Sequence, residues 1–206
     1  MKVTTACDPQ TDTIAVSLES DLVMTGQLRA RVAFPRGHDP AVKNTPALDW
    51  SHPESHESRM TSATTVERII PGARYYYTSN QPLRAIAPHV FEIKGGAGKE
   101  LAFTARFSPG PVEKAPGVPT VTLNSAAHWP AFWRSGAAVD FTGSTNPLAD
   151  KMENRIILSR YLTAVQCAGD VPPQESGLTC NTWYGKHHTE MIVWHTAHFF
   201  QWGQPA

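Results

Sequence analysis

The segment from Gln174 to Trp202 holds the densest set of groups able to donate, accept or stack: Glu175, Trp183, Tyr184, Lys186, His187, His188, Glu190, Trp194, His195 and His198. An indole face, a cation and neutral imidazoles together suit a neutral polyol, because the flat ring covers an apolar sugar face while polar groups fix its hydroxyls. Trp183, Lys186, His188, Glu190 and Glu175 are therefore the expected substrate-binding residues. Structural readings stand beside this one. Lys186 and Glu190 have the i,i+4 spacing of a helical ion pair, Trp183 suits a core, and either His187 or His188 suits a helix end. His188, His195 and His198 lie in one stripe at i, i+7 and i+10. A metalloprotease helix instead places His at i and i+4 with a Glu between, so no metal site is expected. His52 and His56, with Glu54 and Glu57, read as solvated loop residues and are assigned no site.

Two kinds of element must position these groups. The Ser176-Gly177 and Tyr184-Gly185 pairs mark irregular backbone, and loops on a rigid scaffold are where binding groups concentrate. From Thr189 the residues turn helical and nearly all apolar, with Met191, Ile192, Val193, Trp194, Ala197, Phe199, Phe200 and Trp202 on every side, so this helix requires burial all round. An earlier helix is expected from Asn146-Pro147, which supply an N-cap and a first-turn proline. Asp150 and Glu153 follow where the helix dipole favours acids, and Gly169 supplies the stop. Leu148, Met152, Ile156, Ile157, Tyr161, Leu162 and Val165 repeat along it at helical spacing.

The first half of the chain carries the other period. Ile14, Val16 and Leu18 alternate, as do Leu28, Ala30, Val32 and Phe34; strand character returns at Thr65 to Ile70, Arg74 to Ser79, Leu83 to Lys94 and Leu101 to Phe107. Gly37 to Arg59 reads as a polar loop, and Gly95-Gly96-Ala97-Gly98 as a hairpin turn between the last two strands. No helical pattern intervenes, so residues 1–125 are expected to form an antiparallel β-sandwich portion, 126–145 a linker, and 146–206 a helical region.

Eighteen basic residues cancel eighteen acidic ones, which leaves no electrostatic case for a nucleic-acid partner. No apolar run reaches membrane-spanning length, and no apolar signal core follows Met1-Lys2-Val3. Cys7, Cys167 and Cys180 are too few and scattered for a disulfide framework or zinc ribbon, and the redox compartment stays open.

From Trp129 to Gly203 the order FW-SGAAVDFTG, then RYLTAVQCAG, then PPQESGL-NTWYGKHHTEM-W-HTAHFFQWG resembles glycosidase-like proteins of the six-hairpin type, related to the inverting α-L-fucosidase and maltose phosphorylase groups. The resemblance implies an α+β chain, with an N-terminal β-sandwich ahead of the first helices of an (α/α)6 barrel. It also implies a carbohydrate substrate, hydrolysis of O-glycosidic bonds with inversion, no cofactor, and a secreted or periplasmic parent protein. In the fucosidase group the corresponding loop reads H-T-N-I-N-L-E-M. Aligned through Glu190-Met191, its two substrate-facing Asn fall at Lys186 and His188, and neither is Asn here. The general acid and base of such enzymes are carboxylates on later barrel loops, roughly 6.5–9.5 Å apart. They are expected beyond residue 206, so no catalytic residue is assigned and the chain reads as an inactive fragment. The other reading is a non-catalytic carbohydrate-binding or structural β module.

Overall fold

The computed structural model describes residues 1–37, 49–94, 98–178, 187 and 189–204. The fold is α+β, with antiparallel strands followed in sequence by helices. The chain divides into two compact units whose boundary falls between Trp129 and Pro130.

The described residues of the first unit form nine strands. They are β1 (Lys2–Cys7), β2 (Thr13–Glu19), β3 (Ala30–Ala33), β4 (Glu57–Met60), β5 (Thr65–Ile70), β6 (Ala73–Ser79), β7 (Leu83–Ala87), β8 (Val90–Ile93) and β9 (Glu100–Ser108), with a one-turn helix α1 (Asp21–Met24) after β2. Six form a sheet in the order β1-β2-β9-β6-β5-β4, and three form a second sheet in the order β3-β8-β7. All pairings are antiparallel. Inward residues of both sheets meet in one apolar cluster: Val66, Tyr77, Leu101 and Phe103 from the larger, Leu83, Phe91 and Ile93 from the smaller, and Phe34 just past β3. The alternation expected at Leu101 and Phe103 therefore does point them into the core. Val16 and Leu18 pack against this cluster, whereas Ile14 on the same strand is exposed.

Three expectations are corrected. Gly95 to Gly98 does not close a hairpin, because β8 and β9 belong to different sheets and do not pair. The polar stretch 37–59 is not loop throughout, since Glu57–Met60 forms the edge strand β4. The helical half begins well before residue 145: α2 spans Val118–Arg134, through the expected linker, with Pro130 inside it and Val121 fully buried. Strand β1 also has no counterpart in the expected set. It is fixed by the turn after it, where the Asp8 carboxylate accepts the N–H groups of Gln10 (2.9 Å) and Thr11 (3.1 Å). Such Asx turns pre-form a reversal without glycine.

In the second unit α3 covers Ala149–Cys167 and α4 Thr189–Gln201. Asn146 caps the turn leading into α3, its Oδ1 accepting the Leu148 N–H at 2.9 Å. Glu153 does more than face the dipole: its Oε2 accepts the Phe141 N–H at 2.8 Å and ties the preceding segment to the helix. No described residue of α4 is buried, and Val193, Trp194 and Phe200 are 63–70% exposed. Among the described residues no helix is long and apolar enough to cross a membrane.

Candidate functional site

The loop ahead of α4 is built from its base upward. Leu178 donates its N–H to the Gln166 carbonyl at 3.0 Å, which docks the start of the loop on the last turn of α3. Gly177 turns there with φ +63, and a Cβ at this position would meet the Gln166 carbonyl oxygen at 2.4 Å. Only glycine meets both demands. Gln174 then closes the base in two ways: its Nε2 donates to the Gly177 carbonyl (2.7 Å), and its backbone forms an antiparallel bridge with His187. The described ends of this segment, Gln174 and His187, are thus paired with each other.

Of the expected sugar-binding residues, Glu175 is half-buried in the turn at the base of this loop, and Glu190 is exposed in the first turn of α4. An acid there is favoured by the helix dipole whatever else it does. Trp183, Lys186 and His188 lie outside the described residues, and so does the alternative Lys186–Glu190 ion pair. His195 and His198 are half-buried on α4. Burial lowers the His198 pKa, with Arg160 adding to the effect against a backbone bond to His195. Among the described residues no group of three or more His, Cys, Asp or Glu side chains is placed to hold a metal.

Within the second unit one side chain draws the helices together. Arg160 on α3 is 4% exposed. Its Nη1 donates to the Ala137 carbonyl (2.8 Å) and its Nη2 to Gln204 Oε1 (2.7 Å). The guanidinium lies over Trp133 at 5.3 Å and Trp202 at 4.4 Å, while Nε meets no hydrogen-bond acceptor. Gln204 in turn donates to the Phe132 carbonyl (2.8 Å) and Ser135 Oγ (2.7 Å), so the end of α2 and the end of α4 converge on α3. Among the described residues no carboxylate pairs with Arg160, and burial lowers its pKa.

A second polar cluster, in the first unit, was not legible in the sequence. Arg68 on β5 is fully buried. Its Nη1 donates to the Glu57 carbonyl (2.7 Å) and Ser58 Oγ (2.5 Å), and its Nη2 to the Pro35 carbonyl (3.0 Å). The same guanidinium reaches His56 Nδ1 at 2.8 Å and His89 Nδ1 at 3.4 Å, and the two imidazoles stack with centroids 3.7 Å apart. A guanidinium only donates, so His56 Nδ1 accepts from Arg68 and carries no proton there. His89 Nε2 donates to the Pro53 carbonyl (2.8 Å), and its backbone is left-handed at φ 58. Burial, then His89 and Arg68, hold the His56 pKa down to about 4. Ser58 Oγ lies 2.7 Å from His89 Nδ1, yet the shallow cleft nearby is lined by residues 54–57 and 69–71, not by Ser58 or His89. The cluster thus has the geometry of a lock rather than of an accessible nucleophile. His52, by contrast, pairs at the surface with Glu54 at 3.0 Å, as a solvated histidine does.

Set against family models, curated proteins and solved structures, the chain matches none.

Proposed function

We propose that this chain belongs to a carbohydrate-active protein of the six-hairpin glycosidase type, in which the two antiparallel sheets are the N-terminal sandwich and α3 and α4 open the helical barrel. The loop between those helices lines the sugar site. The observation that carries this reading is the closed base of that loop. Gln174 and His187 pair there while Gly177 docks on the last turn of α3, so both described ends of the segment are fixed, as the support of a binding site requires.

In this reading Trp183 stacks on a sugar face, Lys186 and His188 hold hydroxyls or a catalytic water, and Glu175 and Glu190 complete the polar rim. The bond cleaved is an O-glycosidic bond, with inversion. In this reading none of these residues carries the proton of the glycosidic oxygen; they bind and orient the sugar, and the purified chain is expected to bind sugars weakly. Calorimetric titration with a panel of L-fucosides, glucosides and galactosides tests this. Lys186→Ala and His188→Ala are expected to abolish binding and leave the melting temperature within about 1 °C of the parent, as the loss of a purely ligand-binding side chain does. Sugar binding that survives both substitutions, or no binding to any member of the panel, contradicts the proposal.

A further inference from the structure

The Arg68 cluster has a property that the sugar site does not explain. Three of the four residues of β4 are exposed, so burial contributes little to holding that strand. It is attached on one side only, through the register Glu57↔Ile69, Ser58↔Arg68, Arg59↔Glu67 and Met60↔Val66. Its second attachment is polar: Arg68 holds the Glu57 carbonyl and Ser58 hydroxyl, and its orientation is fixed by the acceptor nitrogens of His56 and His89. From this geometry we infer that His56, stacked on His89 and bonded to Arg68, is an acid-releasable clasp, whose protonation frees β4 and the short 3-10 turn Pro53–Ser55 from the edge of the larger sheet.

Protonation acts twice. An imidazolium has no lone pair at Nδ1, so it turns a donor toward the Arg68 donors, and it sets a second cation against a buried one. The groups around His56 leave little to absorb that charge. Arg68 comes from β5, His89 from the turn between β7 and β8, and Arg36 from the segment after β3, all disfavouring the cation; Asp49 alone favours it. Tyr75 on β6 faces Arg68 with its hydroxyl, 3.5 Å from Nε. Asp49 is itself shared with Arg36 (3.6 Å), Glu54 with His52 and Glu57 with Arg59 (2.8 Å).

The sign follows from the depressed value. Closure is fully favoured above the ordinary histidine pKa and is lost as pH falls from about 6.5 toward about 4. Between pH 7.5 and pH 5 the opening constant of β4 is expected to rise roughly 30-fold from His56 alone.

Hydrogen exchange on the intact chain reads this directly. After correction for intrinsic pH dependence, amide protection across residues 57–60 should fall by roughly this factor relative to β6 and β9. His56→Asn/His89→Asn keeps an acceptor near each Nδ1 position, tolerates the left-handed backbone at residue 89, and cannot be protonated. It should abolish the selective fall. A loss shared equally by β6 and β9, a selective loss under threefold, or the same pH response in the double variant overturns the clasp. If the double variant does not fold, the wild-type comparison between β4 and its neighbours decides alone.

Discussion

Replacing Arg160 tests whether a buried cation that pairs with no carboxylate among the described residues organises the helical unit. The side chain is 4% exposed, makes two hydrogen bonds of 2.7 and 2.8 Å, and lies over two indoles. Each charge-assisted bond is worth about 1.5–3 kcal/mol and each cation–π contact about 0.5–2 kcal/mol. Opposing them is the desolvation of an unpaired guanidinium, an effective cost of several kcal/mol. Arg160→Ala forfeits the bonds and stacking and leaves a cavity beside Trp133 and Trp202, so a net loss of about 3 kcal/mol is expected. Arg160→Met keeps most of the volume, leaves no charge to desolvate, and frees an Ala137 carbonyl that water reaches; it should cost about 1 kcal/mol or less. Urea unfolding followed by tryptophan fluorescence measures both, since five of the six tryptophans lie at or beyond Trp129. An alanine variant within about 0.5 kcal/mol of wild type, or a methionine variant as costly as alanine, would refute this reasoning.

Two further substitutions, the first with a control at Gly143, probe the loop base and the core. Gly177→Ala must place a Cβ against the Gln166 carbonyl at a left-handed φ, and is expected to cost about 2–4 kcal/mol and to abolish sugar binding; Gly143→Ala, also left-handed but facing open space, should cost only about 1 kcal/mol. Tyr77 is fully buried, and among the described residues its hydroxyl meets no partner at hydrogen-bonding geometry; burial pushes its pKa up to about 12 against a smaller opposing pull from Ser79. Tyr77→Phe should therefore be neutral or stabilising by up to about 1 kcal/mol in urea unfolding, whereas a loss above about 1 kcal/mol would place that hydroxyl in a bond with Ser79.

Where residue pattern and burial coincide, the elements were legible: strand β5 spans the expected Thr65–Ile70. Helices α3 and α4 also fall on the expected helical stretches, but their apolar repeats are not buried, and α3 starts at Ala149 after an N-cap at Leu148 rather than at Asn146. Strand β4 was not legible because Glu57, Ser58, Arg59 and Met60 carry no alternation, and what holds them is an arginine on the next strand. Helix α2 was hidden by Pro119 and Pro130 and by the aromatic run His128 to Trp133, which has no single apolar stripe. His56 was misread for a related reason. Its neighbours in sequence are polar, while its partners Arg68 and His89 are brought to it by the topology of two sheets, which local spacing does not encode. Arg160 is similar: a charged residue inside a helical repeat reads as solvated until Trp133 and Trp202 close over it.

The most direct measurement of the loop's role is the indole N–H region of a ¹H–¹⁵N spectrum recorded during a sugar titration. Six indole signals are expected, and Trp183→Phe identifies one of them. Sugar stacking in the loop should shift the Trp183 signal saturably and first, with Trp50 unmoved. A titration that leaves the Trp183 signal in place, or that moves Trp50 instead, would contradict a sugar site between α3 and α4.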